Sequence, residues 1–332
     1  MAIDLDRLTA SLLAGALGDA LGYAVEFDSY NAIRARYGKR GITALEREDG
    51  FARFSDDTQM TLFTAEGLAE ALERGGDIAD CVYRAYLRWL TTQGFGDVPA
   101  DAAGLLAVPE LHRLRAPGNT CLSALHSGVM GTIGDPINNS KGCGGVMRTA
   151  PLGALEPEDA LLYGARAAAI THGHPMGYIP AGMLSYIVSL CLRGASKPLK
   201  QVVTDALARM RAVFAETPGI DAFAALIERA VSLAESADAP DEASIRALGE
   251  GWVGDEALAI AVWAALRYAD DLTACLIAAV NHNGDSDSTG AIAGNILGAY
   301  LGQSCLPADW LDALECVPVI RDTAKRLWKS AN

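Results

Sequence analysis

Gly284-Asp285-Ser286-Asp287-Ser288-Thr289-Gly290-Ala291-Ile292-Ala293-Gly294-Asn295-Ile296-Leu297-Gly298-Ala299-Tyr300-Leu301-Gly302 joins two signals in one stretch. Its second half sets glycines at 290, 294, 298 and 302, a spacing that lines them up along one face of an α-helix. Each glycine costs a helix in water about 1 kcal/mol relative to alanine, so a row of them implies close approach by another backbone. The first helix expected in the chain, Leu5 to Gly22, carries Gly15, Gly18 and Gly22 in a similar row. The two glycine faces are expected to pack on each other, bringing Asp19 and Glu26 toward the acidic half of the stretch. A membrane-type helix dimer is a poorer reading, because Asn295 interrupts the face.

The acidic half, Asp285 to Thr289, has a counterpart in Ser55-Asp56-Asp57-Thr58. Both precede long apolar stretches and read as helix entries. Consecutive residues inside a helix do not share a face, so these side chains can converge only from a loop or a helix start. Serine, aspartate and threonine are favoured helix caps, and capping is the competing explanation for either knot alone. Two double-aspartate entries exceed what capping requires. Aspartates held together repel unless a positive charge lies between them. Since every side-chain donor here is oxygen, a hard divalent cation is the natural partner.

The 332 residues suffice for a large core, with 51% hydrophobic residues and 7% aromatic ones. Alanine- and leucine-rich segments interleaved with Glu and Arg favour helix. Periodicity predicts helices over Thr58–Arg74, Ile78–Gln93, Leu122–Met130, Pro157–Thr171, Tyr178–Arg193, Leu199–Thr217, Ala222–Ser236, Glu256–Ala269, Asp271–Val280, Thr289–Gly302 and Pro318–Ser330. Strand signals are confined to Ile42–Leu45 and Val146–Thr149. The expected fold is all-α, in one domain over residues 1–332, with Ser236–Ile245 as its most exposed loop. Helical packing and a specificity surface are both open readings of Lys197–Ile245.

A net charge of −14 argues against a nucleic-acid groove or an anionic membrane as partner. The dispersed, odd-numbered cysteines (Cys81, Cys121, Cys143, Cys191, Cys275, Cys305 and Cys316) point to reduced thiols and disfavour zinc. The first residues lack the basic start of a signal peptide, and no uninterrupted membrane-spanning run stands out. A cytoplasmic location is expected.

A third element is the glycine-rich loop Asn138-Asn139-Ser140-Lys141-Gly142-Cys143-Gly144-Gly145-Val146-Met147-Arg148. Its glycines would let backbone N–H groups approach an anion, with Lys141 or Arg148 neutralising it; a plain turn reads equally well. His172 and His174 alternate in a loop between helices, where one could face a ligand. His282 precedes the last acidic knot as a capping or supporting residue.

In this order the motifs resemble the ADP-ribosylglycohydrolase family, which includes dinitrogenase-reductase-activating glycohydrolases and ADP-ribosylarginine hydrolases. The resemblance rests on Gly15-Ala16-Leu17-Gly18-Asp19-Ala20-Leu21-Gly22 with Glu26, Phe54 to Thr58, Lys141 to Gly153, Thr171-His172, Gly251-Trp252 through Leu258, and Gly284 to Gly290. It implies a compact helical domain with two Mg²⁺ or Mn²⁺ ions held by Ser55, Asp56, Asp57, Asp285, Asp287 and Ser288. Serines stand at 55 and 288 where many members carry threonine. Glu26 would sit on a flap over the site, and Asp57, Glu26 and Asp287 would be the catalytic carboxylates. The loop residues Lys141, Gly142, Cys143, Gly144, Gly145, Met147 and Arg148 would meet the substrate, Gly142 to Gly145 cradling its diphosphate. His172 would contact the phosphate-ribose portion, and Trp252 would pack near the ligand.

The activity so implied is metal-dependent cleavage of the glycosidic bond joining ADP-ribose to a protein side chain, arginine foremost. Serine-linked ADP-ribose and O-acetyl-ADP-ribose are alternatives. Others are an immunity protein that binds an ADP-ribosylating toxin, a non-catalytic binding protein, and a two-metal phosphoesterase.

Overall fold

The computed structural model describes residues 2–194, 197–236 and 241–332. Fifteen α-helices follow one another among them. The first half holds α1 (Leu5–Tyr23), α2 (Tyr30–Tyr37), α3 (Asp56–Arg74), α4 (Ile78–Thr92), α5 (Asn119–His126), α6 (Pro157–Ala169) and α7 (Pro175–Leu192). The second holds α8 (Leu199–Val213), α9 (Ile220–Glu235), α10 (Asp241–Arg246), α11 (Gly254–Arg267), α12 (Leu272–Val280), α13 (Ser286–Leu301), α14 (Ala308–Ala313) and α15 (Val317–Ala331). The all-α expectation holds.

The glycine rows explain the centre of the fold. A Cβ built on Gly298 would lie 2.4 Å from the Ala10 carbonyl oxygen, one on Gly294 2.1 Å from that of Ala14, and one on Gly290 2.4 Å from that of Gly18. From the other side, a Cβ on Gly22 would lie 2.3 Å from the Ser286 carbonyl oxygen. This order makes α1 and α13 antiparallel, with backbones touching along the whole seam. Helices α3, α7, α11 and α12 also pack on α13, and α12 and α15 on α1. Alanines, leucines and isoleucines close the core around them. Asn295 sits in the seam, donating to the Ser11 carbonyl at 3.0 Å and accepting Ser11 Oγ on its own carbonyl at 2.8 Å.

Several local expectations need correction. Neither Ile42–Leu45 nor Val146–Thr149 is a strand; among the described residues β-pairing is limited to isolated bridges, one joining Gly142 to Val253. Val146–Thr149 is instead a turn between short 3₁₀ segments over Cys143–Gly145 and Ala150–Ala154. The Ser236–Ile245 segment is not all loop, because α10 begins at Asp241; residues 237–240 lie outside the described residues. Helices α2, α10 and α14, of eight, six and six residues, are too short for their periodicity to have been legible. Helix α7, interrupted by Ser185 and Ser189, has the length and composition to cross a membrane, but 83% of it is buried inside the fold.

Candidate active site

Both acidic knots open helices, and their residues behave differently. Ser55 is the N-cap of α3: its hydroxyl accepts the Asp57 N–H at 3.2 Å, and its side chain is fully buried. Asp56 and Asp57 then lie within the first helical turn, where the macrodipole favours carboxylates. At α13 the cap position belongs to Asp285, yet its side chain makes no capping bond. Its Oδ2 accepts instead from the Cys143 thiol. Capping thus accounts for Ser55 and fails for Asp285.

The glycine seam sets the spacing between the knots. Asp19, on α1, is completely buried and spans to α3: Oδ1 accepts the Ser55 N–H at 2.8 Å, while Oδ2 accepts the Thr58 N–H at 2.9 Å and its hydroxyl at 2.5 Å. Glu26, in the turn after α1, meets Asp285 and Asp287, with one carboxylate oxygen of each within 4.8 Å of the others. Gly284 aims the Asp285 loop from a left-handed conformation (φ +106°), against the Glu250 carbonyl that takes the Asp285 N–H. His282 braces the same loop, its Nε2 lying 2.9 Å from the Thr289 hydroxyl, which in turn donates to the Asp285 carbonyl.

A cleft of about 180 Å³ opens over these carboxylates. Of the residues singled out from sequence, Glu26, Asp56, Asp57, Asp285, Asp287 and Ser288 line it, as do Gly142, Cys143, Gly144, Met147, His172 and Trp252. Four do not. Ser55 lies beneath as the cap, Gly145 packs against the Gly177 carbonyl, and Lys141 is exposed beside Asp255. Arg148 is fully buried, donating to the Thr171 hydroxyl at 2.6 Å and stacking 4.4 Å from the Tyr86 ring centre. Its guanidinium faces into the fold and does not line the cleft, away from where the anion-neutralising role read from sequence would need it.

The glycine loop bends around His172. A Cβ on Gly142 would lie 3.3 Å from His172 Nε2, and one on Gly144 3.1 Å from Cε1. His172 Nδ1 lies 2.8 Å from the Thr171 hydroxyl. Burial, with the nearby Arg148 charge, pushes the ring's pKa down to about 3, so the ring is neutral. The loop is tied to the segment before α11 by Cys143 N–H to Trp252 carbonyl (3.2 Å) and Gly254 N–H to Lys141 carbonyl (2.9 Å).

Sequence reasoning missed Gly118, Asn119 and Thr120, which also line the cleft and where the Gly118 N–H reaches Asp56 Oδ2 at 3.3 Å. It also missed Phe27, whose exposed ring stacks on Trp252 with centroids 6.3 Å apart. A Gly-Asn-Thr helix start and an aromatic residue next to Glu26 were the available signals, and neither is distinctive.

The electrostatics are those of an anion cluster. Burial, then Asp287, raises Asp19 to about 7 and Glu26 to about 10. Burial raises Asp56, Asp57 and Asp285 as well, again with Asp287 the leading charge. Two oxygens, Glu26 Oε2 and Asp57 Oδ2, are buried without any hydrogen-bond partner. Unpartnered carboxylate oxygens are expensive to bury, and an oxygen-rich set that leaves two of them without a donor fits divalent cations.

Comparison with known proteins agrees with this architecture. Residues 1–332 match the ADP-ribosylglycohydrolase family. The zebrafish (Danio rerio) protein named ADP-ribosylhydrolase ARH3 is 25% identical, over 98% of this chain and 90% of its own length. The ADP-ribosyl-[dinitrogen reductase] glycohydrolase of Rhodospirillum rubrum is 26% identical, over 93% and 90%. A solved structure titled an ADP-ribosylglycohydrolase-related protein complex superposes with a TM-score of 0.65 at 28% identity, covering 99% of each chain. With the match running from the first residue to the last, the chain belongs to the ADP-ribosylglycohydrolase family of hydrolases.

Proposed function

We propose that this chain hydrolyses the glycosidic bond that links ADP-ribose to a protein side chain, arginine foremost, with two divalent cations (Mg²⁺ or Mn²⁺) bound among Asp56, Asp57, Asp285, Asp287 and Ser288. The observation that carries the reading is the convergence on one cleft of carboxylates from the turn after α1 and from the starts of α3 and α13, with Glu26 Oε2 and Asp57 Oδ2 buried and unpartnered. Such cations supply positive charge for the ribose hydroxyls and lower the pKa of bound water.

The chain's own groups supply the rest. The Gly142–Gly144 backbone lines the same cleft as Glu26, which supports a diphosphate-binding role. Thr171 Oγ1 accepts from Arg148 and can give its own proton to His172 Nδ1, which leaves an Nε2–H for the cleft. Trp252, with 42% of its surface exposed, offers a flat face at the cleft mouth. Cleavage at the distal ribose develops oxocarbenium character and needs water placed on one face of the sugar. Asp57 and Asp287 hold the acidic floor, and Glu26 overhangs it as the proton donor or acceptor.

The test is ADP-ribose release from arginine-linked, serine-linked and O-acetyl conjugates, with Mg²⁺ or Mn²⁺ and with chelator. Metal-dependent release from the arginine conjugate alone supports the full reading. Release from another linkage alone moves the specificity, and tight binding without turnover rejects hydrolysis in favour of a binding protein.

A further inference from the structure

A second cavity, larger than the cleft, lies beside it and contains none of the residues named for that site. It measures about 650 Å³ and is walled by Tyr23 at the end of α1, by the turn before α3 and by the 109–115 segment. Arg115 and Ala116, adjacent in sequence, line the cavity and the cleft respectively, and the Arg115 carbonyl takes the Asp56 N–H at 3.1 Å. The two spaces therefore share a wall. Tyr23 stands in the same position. Burial raises the pKa of its phenol; Arg115 of the cavity opposes that rise, and Glu26 of the cleft, with Asp19 and Asp287, adds to it.

Charge sets what the cavity can take. Arg53 and Arg115 are both paired with the buried Glu315. Glu48, Asp49 and Glu110 are exposed at the rim and make no ion pair or side-chain hydrogen bond among the described residues. Among the lining cations only Arg113 is equally free. Free carboxylates thus outnumber free guanidinium groups, and a cationic occupant is favoured. Leu114 and Phe51, both exposed, the latter with its ring 5.8 Å from the Arg53 guanidinium, offer apolar surface for the stems of long basic side chains. Ligand sites commonly measure about 300–1,000 Å³. The cleft, at about 180 Å³, is small for a whole conjugate, and the cavity supplies adjoining room.

We propose that this cavity binds the polypeptide around the modified side chain and selects substrates with a lysine or arginine next to it. The inference deepens the hydrolase reading and rests on it.

The experiment compares peptides carrying one ADP-ribosylated residue, in the linkage the chain cleaves, flanked by lysine, by serine or by glutamate. The full chain is tested as wild type and as a Glu48→Gln/Asp49→Asn/Glu110→Gln variant. All three positions are exposed, and asparagine accepts the left-handed backbone of Asp49 (φ +52°), so the fold is not at stake. Wild type should favour the lysine flank over serine by about tenfold in kcat/KM, carried by KM and shrinking with added salt. The variant should lose that preference, yet hydrolyse the serine-flanked peptide and bind free ADP-ribose within about twofold of wild type. Equal rates on the lysine and serine flanks, or a preference that survives in the variant, overturn the proposal. A preference for the glutamate flank overturns it in favour of an anionic partner held by Arg113. If no conjugate of any linkage is hydrolysed, the hydrolase reading falls and binding decides the cavity. A labelled lysine-flanked peptide without ADP-ribose should then bind wild type about fivefold or more tighter than the variant by fluorescence anisotropy, and equal binding rejects the cavity as well.

Discussion

Replacing Gly18 by alanine tests the link between the glycine seam and the site. A Cβ at this position would lie 2.1 Å from the Gly290 carbonyl oxygen and 2.4 Å from its carbon. Both are backbone atoms, so no rotamer change relieves the clash, and α1 and α13 must part by roughly 1 Å to restore van der Waals contact. Alanine returns about 1 kcal/mol of helix propensity. Overpacking in a filled core costs about 1–3 kcal/mol, occasionally more, and a backbone-to-backbone clash belongs at the upper end. The expected net loss is about 2 kcal/mol, read by equilibrium urea unfolding. Because Asp19 follows Gly18 and Asp287 lies on α13, the same displacement should weaken Mn²⁺ binding, read by calorimetry. Gly298→Ala provides the contrast: its Cβ would also meet backbone, 2.4 Å from the Ala10 oxygen, but at the far end of the seam from the cleft. It should lose comparable stability and keep its Mn²⁺ affinity. Gly134→Ala, which points into open space, should be neutral. A Gly18→Ala protein as stable as wild type would refute the close-packing account of the glycines.

Further expectations follow from individual residues. Glu315 accepts from Arg53 at 2.8 Å, from Arg115 and from the Phe54 N–H, so Glu315→Ala strands a buried guanidinium beside the start of α3 and should cost about 3–5 kcal/mol by denaturant unfolding; a loss under about 1 kcal/mol would contradict that. Asp57→Ala and Asp287→Ala should each abolish divalent-cation binding and glycohydrolase activity, and full retention of both in the two variants would end the cation-centre reading. In chelator, Asp19 and Glu26 have raised pKa values, about 7 and about 10, so the folded state holds protons that the unfolded state releases. The stability they contribute is present in acid and lost as pH rises from about 4 through those values. Calorimetric midpoints of the chelated protein should therefore fall between about pH 5 and about pH 9, and saturating Mg²⁺ should flatten the fall; a chelated midpoint that climbs with pH would show the cluster is not built this way.

Much of the fold was readable because its signals are local and periodic. The four-residue glycine spacing pointed to the α1–α13 seam, and apolar periodicity located the long helices to within a few residues. What periodicity could not carry was short structure. Helices α2, α10 and α14 complete too few turns to show a face, and Val146–Thr149 reads as strand when it is a turn that follows the glycine-rich 3₁₀ segment bent around His172. Arg148 illustrates a different limit: next to a glycine loop it looked like an anion ligand, yet its guanidinium points inward to Thr171 and Tyr86.

The acidic knots show where the boundary falls. Sequence alone established that Asp56, Asp57, Asp285 and Asp287 open two helices and that their charges demand compensation, since both properties belong to neighbouring residues and to Coulomb repulsion. It could not decide between cap and cleft for each side chain. Tertiary structure did that: Asp19, reaching from α1, takes the N–H groups at the start of α3, Ser55 takes the Asp57 N–H, and Asp285 is left uncapping beside the Cys143 thiol. Which donor satisfies a helix end depends on what another helix brings to it, and here that is settled by how closely the backbones of α1 and α13 can approach.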